Sequence, residues 1–451
     1  MSAYARAIGA CRWAVLLGLA GCAGGGALRV SDITPQSIPA LEEARAARPA
    51  DANTLGRLGV AYFKAERFAD ARQVLDSAVA RDARSGIAAI YLGMATEAIG
   101  DFPAARLAYT HYIAIARSGD LKETARRRLA LVGRHELEFQ ARQALAQEAT
   151  LAQTPPDANT IAVMPFSYSG TNLEIQPLTR GLAQLIVTDL AKSRQVRVLE
   201  RERMQAILSE MRLASDSGRA DPRTALRSGR LLSAARVVQG TIAEVGSDLR
   251  VDAAVVDVAT AGVAGSAGAS DALNRLFDLE KQVVLSIFST LGIQLSDQER
   301  AAIDQRPTQN VQAFLAYSRG LEAEDNGDFN GASEAFRQAA GLDPSFRAAV
   351  QGATAAGDLS IAAQQTTAQV EAVVVQNQAA ESGGGVSEDA RRDAMQQATN
   401  NVTPTQTVQT NTEQTQQPTQ APDRQPGAET TNTQGPRPPT GTVVIVIRRP
   451  Q

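Results

Sequence analysis

The sequence predicts a multidomain protein of the α plus α/β type, in which helical hairpins flank a central α/β sandwich and a disordered tail follows. Three observations predict this fold class. A 34-residue period near the amino end indicates stacked helical hairpins. Apolar segments with strand and helix spacing alternate in the middle of the chain. Residues 399–441 are mostly Thr, Gln, Asn and Pro, a composition typical of disorder.

A basic and then apolar segment at the amino end precedes one of the two cysteines. Arg6 and Arg12 come before an uncharged run at 13–21, which is shorter than the ~20 residues that a spanning helix needs. This arrangement is typical of a signal peptide. The stretch LAGC at 19–22 resembles the lipobox of bacterial lipoproteins. That resemblance implies cleavage after residue 21 and attachment of a diacylglycerol to the thiol of Cys22.

The residues around the cysteine extend this interpretation. In lipoproteins of bacteria with two membranes, an Asp after the cysteine indicates inner-membrane retention, so Ala23 implies the outer membrane, with the protein facing the periplasm. The other cysteine, Cys11, lies in the segment to be removed. No disulfide framework and no cysteine-based metal site is therefore expected. An ordinary signal peptide with a nearby cysteine is the alternative.

Two segments 34 residues apart share a pattern of small and large side chains. Residues 58–79 and 92–113 align Gly59 with Gly93 and Phe68 with Phe102. The pattern resembles the tetratricopeptide repeat (TPR), whose small residues let two helices approach closely. A third copy lies at 317–344, and generic helical hairpins are the alternative. Each hairpin leaves an apolar face that a neighbour must cover.

A long helix is expected to cover the open end of the first two repeats. Residues 120–151 have a helical composition without the repeat's small positions, and Gly133 marks a point where this capping helix could break. In TPR proteins the inner helices line a groove that takes extended peptides or partner helices. The alternative is that so short an array only supports the next domain. By alignment, the candidate peptide-groove residues are Phe63, Lys64, Met94 and Glu97.

The central region predicts an α/β sandwich with the element order βαβααβββα. Its first segment, IAVMPF at 161–166, is an apolar run that ends in a turn signal, as a buried strand does. Residues 235–245 and 249–259 read as strands that a tight turn at 246–248 joins into a hairpin. A last amphipathic helix is expected at 273–291.

This order resembles the periplasmic domain shared by curli secretion lipoproteins (the CsgG family), flagellar outer-membrane lipoproteins and the amino-terminal domain of TolB-like proteins. IAVMPF is similar to the opening strand of that domain, VRVLER at 196–201 is the most telling match, and 225–242 matches a longer motif. Arg236 stands where the family often has Asp. The resemblance implies a role in envelope assembly or secretion, and an unrelated small α/β domain is the alternative.

Two functions are compatible with such a domain. Curli-type channels insert two β-hairpins per subunit into the membrane, which needs roughly 40 residues or more beyond the soluble fold. The domain has no spare length for them. We therefore predict a protein-binding scaffold or assembly factor for envelope or secretion machinery. An oligomeric outer-membrane secretion channel for curli-type fibre subunits is the alternative.

No catalytic motif is evident. The chain has two histidines, His111 and His135, and RHELE at 134–138 lacks the second histidine of a zinc-binding HExxH motif. Arg126, Arg127 and Arg128 are expected to form a solvated face. We predict no enzyme, no cofactor and no metal, and the net charge of −3 argues against nucleic acid. The expected partners are envelope proteins or peptides in the groove, the membrane through the lipid, and, as an open alternative, further copies of the chain.

The carboxyl end differs from the segment before it. TVVIVIRR at 442–449 is strongly β-prone, and it is either a sticky tail end or a strand that adds to a partner's sheet edge. The predicted organisation is a signal peptide at 1–21, a tether at 22–50, a TPR-like domain with its capping helix at 51–151, a CsgG/TolB-like α/β domain at 160–295, a TPR-like hairpin at 310–350, a low-complexity and mostly disordered segment at 351–441, and a β-prone segment at 442–451.

Overall fold

A computed structural model describes residues 29–214, 222–245, 248–381 and 442–444. The predicted signal peptide and Cys22 lie outside these residues, as does most of the predicted disordered segment. The amino-terminal part of the described chain is helical. Its helices are α1 (Ile38–Ala47), α2 (Ala52–Lys64), α3 (Phe68–Arg81), α4 (Gly86–Ala98), α5 (Phe102–Ile115), α6 (Asp120–Ala146) and the short α7 (Glu148–Leu151).

The close packing within each hairpin explains the small residues of the repeat. A methyl group on Gly93 would lie 2.8 Å from the ring of Tyr109 on the facing helix. Gly59 has the same relation to Leu75, and Gly320 to Phe336 in the third copy. Only glycine fits where two helix backbones approach this closely. The three copies therefore share one packing geometry, as the alignment predicts.

The helix α6 is continuous over 27 residues and caps the second hairpin. The predicted break at Gly133 is wrong. One face of α6 stays buried on both sides of this glycine, through Leu131 and Val132 before it and Ala141 after it. Since packing continues along the helix, the cost of one internal glycine, about 1 kcal/mol, is not enough to end it.

A mixed sheet forms the central domain. Its strands are β1 (Asp157–Val163), β2 (Ser167–Ser169), β3 (Arg197–Val198), β4 (Ala234–Val245), β5 (Asp248–Asp257) and β6 (Val263–Ala272), in the order β3-β1-β4-β5-β6. The strands β3, β1 and β4 are parallel, whereas β4, β5 and β6 form antiparallel pairs. The short β2 pairs with the second half of β4. The sequence predicts a turn in this stretch. The strand is not predicted because three polar residues give no apolar signal.

Helices cover both faces of this sheet. They are α8 (Leu178–Leu190), α9 (Arg201–Ala214), α10 (Pro222–Leu231) and α11 (Leu276–Thr290). Neighbouring residues of β4 point to opposite layers, because Val238 packs in the cluster of α8 and α11 and Val237 packs in that of α9 and α10. The end of α6 joins the second layer. The predicted element order is present, and among the described residues of this domain β2 is the one additional strand.

The chain after the sheet is helical as far as residue 381. Its helices are α12 (Asp297–Ile303), α13 (Val311–Asp325), α14 (Phe329–Leu342), α15 (Arg347–Gln364) and α16 (Thr367–Glu381). The predicted hairpin at 310–350 contains α13 and α14. The prediction of mostly disordered chain from residue 351 is wrong as far as 381, because α15 packs on α14 and α6, and α16 packs on α6.

A last strand, β7 (Thr442–Val444), pairs antiparallel with β6 at the edge of the sheet. None of the helices among the described residues has the length and apolarity to cross a membrane. The predicted fold class is confirmed for the described residues, which combine TPR-like hairpins, an α/β sandwich and a further hairpin.

Candidate protein-binding groove

The four predicted groove residues lie on one face of the amino-terminal domain. We call this face, formed by α2, α4 and α6, the TPR groove. Phe63 and Met94 are buried in the apolar cluster of this domain. The ring of Phe63 meets that of Tyr91 edge to face, with 5.1 Å between centroids. Lys64 and Glu97 are partly exposed at the ends of α2 and α4. Their role in binding a partner stays a prediction.

The helix α16 of the same chain occupies the TPR groove. Val370 and Val374 are buried, and they belong to the same apolar cluster as Phe63 and Met94. The sequence predicts this segment to be part of the tail, and it begins 254 residues after the end of the second repeat, from residue 113 to residue 367. The groove is therefore a helix-binding surface within this structure, and its occupant is internal.

Polar contacts fix the position of α16 along the groove. The Tyr91 hydroxyl donates a hydrogen bond of 2.9 Å to the carboxylate of Glu371, and the ammonium of Lys64 lies 3.5 Å from the same carboxylate. Near the other end of α16, Gln378 accepts a hydrogen bond of 2.7 Å from the backbone N–H of Val30. The carboxylate of Glu371, in a valine-rich helix, thus contacts both a cation and a hydroxyl.

Two buried tyrosines act as donors in this region. Burial, and then the nearby charge of Glu371, raise the pKa of Tyr91 well above its usual value. Burial and the charge of Glu97 do the same to the pKa of Tyr109, whose hydroxyl donates a hydrogen bond of 2.7 Å to Glu97. Both phenols therefore stay protonated at any physiological pH and present a fixed donor to a carboxylate.

The occupant leaves a space beside its first turn. A cavity of about 270 Å³ remains between α4, α5, α6 and α16. Its apolar and aromatic walls come chiefly from α4 and α5, while the side facing α16 carries small or β-branched residues. The residues that line it are Met94, Glu97, Ala98, Phe102, Tyr109, Arg128, His135, Thr367 and Val370.

Arg128 was missed by the sequence analysis. It is not part of a solvated face, because its side chain is only 14 % exposed and pairs with Glu97. Its guanidinium also donates a hydrogen bond of 3.0 Å to the carbonyl oxygen of Ala362, at the end of α15. Arg127 pairs with Asp358 of α15, whereas Arg126 is exposed, as expected. An arginine at helical spacing from Leu121 and Ala125 was the available signal.

A second cluster of buried charge docks the α/β domain on the third hairpin. Arg201, the last residue of the segment VRVLER, is 5 % exposed and pairs with Asp325 and Glu324 at the end of α13. Arg180 of α8 also reaches Asp325, at 3.2 Å. Burial raises the pKa values of both acidic groups, and the charge of Arg201 opposes that shift. The geometry fits docking between elements.

The described residues contain no group of three or more His, Cys, Asp or Glu side chains placed to hold a metal ion.

Two segments of the chain match known family models. Residues 142–273 match the family described as curli production assembly/transport component CsgG, and residues 34–92 match the tetratricopeptide repeat. The class is therefore a multidomain protein that combines TPR repeats with a CsgG-type domain. The TPR match begins before α1, upstream of the start predicted at residue 51. None of the curated proteins matches this chain.

The two matches indicate a protein-binding role related to curli-type secretion, at the cell envelope.

Proposed function

We propose that this protein is a lipoprotein of the cell outer membrane that faces the periplasm and acts as a scaffold or assembly factor for envelope or secretion machinery. The observation that carries the proposal is the TPR groove, which holds a helix through two buried valines and one carboxylate. A surface that binds a helix of its own chain has the chemistry to bind a helix of another protein. The CsgG-type domain supports a place in secretion or assembly. The role is a non-enzymatic one.

The lipid anchor is tested at Cys22. In the proposed protein, acyl chains on this thiol hold a water-soluble chain at the bilayer, since each buried CH₂ contributes ~0.8 kcal/mol. We expect Cys22→Ser to lose incorporation of labelled palmitate and to move from the membrane fraction to the soluble fraction. Cys11→Ser is the matched control, because this residue lies in the segment to be removed, and it should change neither readout. Unaltered labelling and fractionation of Cys22→Ser would contradict the anchor.

An export channel for curli-type subunits is the second candidate, and the CsgG match favours it. The strand connections argue against it, because only residues 246–247 separate β4 from β5, and 258–262 separate β5 from β6. A channel forms detergent-stable rings and conducts ions across a planar bilayer. The purified acylated protein should do neither as a scaffold, and reproducible unitary conductance would replace the scaffold proposal with the channel.

A further inference from the structure

The helix α16 is an imperfect ligand for the TPR groove. The cavity of about 270 Å³ lies against its first turn, where Thr367 and Val370 face the aromatic side chains of Phe102 and Tyr109. The cavity is partly open to solvent, and the charged Glu97 and Arg128 line it together with the two aromatic rings. The apolar part of its wall therefore lacks dispersion contacts with protein on one side. A larger apolar side chain at the position of Thr367 has room to supply them.

The sequence of α16 makes it a weak helix on its own. Val370, Val373, Val374 and Val375 are β-branched, and such residues have low helix propensity. Isolated helices of this length are marginal in water. The helix therefore depends on the groove for its order. Its attachment to α15 through residues 365–366 supplies a high effective concentration that a separate ligand does not have.

The recognised chemistry is specific in one respect. Glu371 meets Lys64 and Tyr91, and the neighbouring contacts of α16 in the groove are made by valines. A competing helix thus needs a carboxylate at this position and apolar side chains one turn apart. These requirements describe a class of ligand rather than a single sequence.

We propose that α16 is an exchangeable internal ligand of the TPR groove, and that the groove's external partner is a helix with the carboxylate of α16 and a larger apolar residue in place of Thr367. The partner displaces α16 and fills the cavity. This inference rests on the proposed function only in taking the TPR groove as the binding surface.

The probes are two synthetic fluorescent peptides, one with the sequence of residues 364–381 and one with Thr367→Leu in that sequence. Fluorescence polarisation with the full mature chain measures their affinity. We expect the Leu peptide to bind about 10-fold more tightly, because leucine covers apolar wall atoms of the cavity that the exposed threonine leaves uncovered. Equal affinity of the two peptides, or no binding of either, would overturn the proposal.

Variants of the chain separate displacement from binding elsewhere. Val370→Asp combined with Val374→Asp should expel α16 and tighten binding of both peptides at least about 10-fold, since the internal competitor is gone. Leu107→Asp is the matched control, because this side chain is 64 % exposed on α5, and it should leave the affinity unchanged. Lys64→Glu should weaken binding, and a peptide with Glu371→Lys should recover it. Absence of that recovery would contradict the assigned carboxylate contact.

Hydrogen exchange gives the second readout. In the full chain, saturating Leu peptide should speed amide exchange in residues 367–381 about 10-fold or more while α4 stays protected. If residues 367–381 stay protected from hydrogen exchange while the peptide is bound, α16 does not leave the groove. That result would overturn the proposal that α16 is displaced. These tests use purified protein, so they can fail while the envelope role holds, and they can succeed even if Cys22 carries no lipid.

Discussion

At the scale of single residues, the most unusual group is Glu280 on α11. It is 1 % exposed, and the ammonium of Lys281, 3.1 Å away, is shared with the carboxylate of Asp189 on α8. Lys192 also pairs with Asp189, at 2.7 Å. Burial, and then the charge of Asp189, raise the pKa of Glu280 to about 8. The native state therefore holds a proton that the unfolded chain releases near pH 4.5.

Stability should depend on this proton. The pKa of Glu280 is higher in the folded state than in the unfolded chain. Its contribution to the free energy of unfolding is therefore fully present below pH 4.5 and is lost as the pH rises through about 8. Glutamine mimics the protonated acid. We compare the free energy of unfolding of Glu280→Gln with that of the wild type at each pH. The difference in favour of the variant should be larger at pH 9 than at pH 5 by at least about 1 kcal/mol. Urea unfolding at the two pH values measures this.

Glu123→Gln provides the control for that experiment, because Glu123 is exposed on α6. The difference in free energy of unfolding between Glu123→Gln and the wild type should be the same at pH 5 and at pH 9. A Glu280→Gln difference that is equally constant would show that the folded protein does not retain the proton.

At the scale of elements, the three TPR-like hairpins share one turn. In the second and third copies, Gly100 and Gly327 have φ angles of +75° and +77°. The next residue, Asp101 or Asp328, then caps the following helix by accepting a hydrogen bond from its backbone. In the first copy Glu66 stands at the glycine position, with a φ of +59°. A left-handed conformation is strained for a glutamate but not for glycine.

The repeat therefore predicts a stabilising substitution. We expect Glu66→Gly to raise the free energy of unfolding by about 0.5–1 kcal/mol, because relief of the left-handed strain exceeds the entropy cost of glycine. Gly100→Ala, the matched change in the second copy, should lower it by about 1 kcal/mol. Thermal or urea unfolding of both variants checks the pair. Destabilisation by Glu66→Gly would mean that the first turn differs from the other two.

The element scale also shows where sequence reasoning succeeds and fails. The hairpins could be predicted because the period places Gly59 and Gly93 opposite large side chains, a constraint that leaves a mark in the sequence. The strands β4 and β5 could be predicted from long apolar runs. β2 could not, because three polar residues that pair with the end of β4 carry no such mark. The segment of α16 carries only a weak helical signal at 364–376, since its order comes from the groove and not from its own propensity.

At the scale of the whole molecule, buried ion pairs hold the α/β domain on the third hairpin. Arg201 and Asp325 come from α9 and α13, and Arg180 of α8 adds a second cation. Removing one partner leaves an uncompensated buried charge, which costs about 3–5 kcal/mol in such settings. The most telling family-like segment, at 196–201, thus ends in a residue that organises the contact between two parts of the chain.

The docking role has a direct test. We expect Asp325→Ala to lower the free energy of unfolding by about 3 kcal/mol and to make the α9–α13 contact sensitive to limited proteolysis. Asp70→Ala is the matched control, because Asp70 pairs with Arg67 on the surface, with both side chains 47 % exposed. That change should cost less than about 1 kcal/mol. Equal losses in the two variants would remove the docking argument.

The candidate site shows the limit of prediction at this scale. Alignment of the repeats could place Phe63, Lys64, Met94 and Glu97 on one face, because equivalent positions of stacked hairpins share a face. It could not find the occupant. The contact of Lys64 with Glu371 joins residues more than 300 positions apart, and no local pattern encodes such a pairing.

Binding of helices by the TPR groove is tested most directly by photo-crosslinking in intact cells. A photoreactive residue replaces Ala98, which is exposed and lines the cavity, or Leu107 on α5 as control. In the otherwise unchanged protein, we predict that position 98 forms crosslinks within the chain to residues 367–381. When Val370→Asp and Val374→Asp expel α16, position 98 should instead form crosslinks to a helical segment of a second polypeptide. Position 107 should not give these products. The same products from both positions, in both backgrounds, would contradict helix binding by the TPR groove.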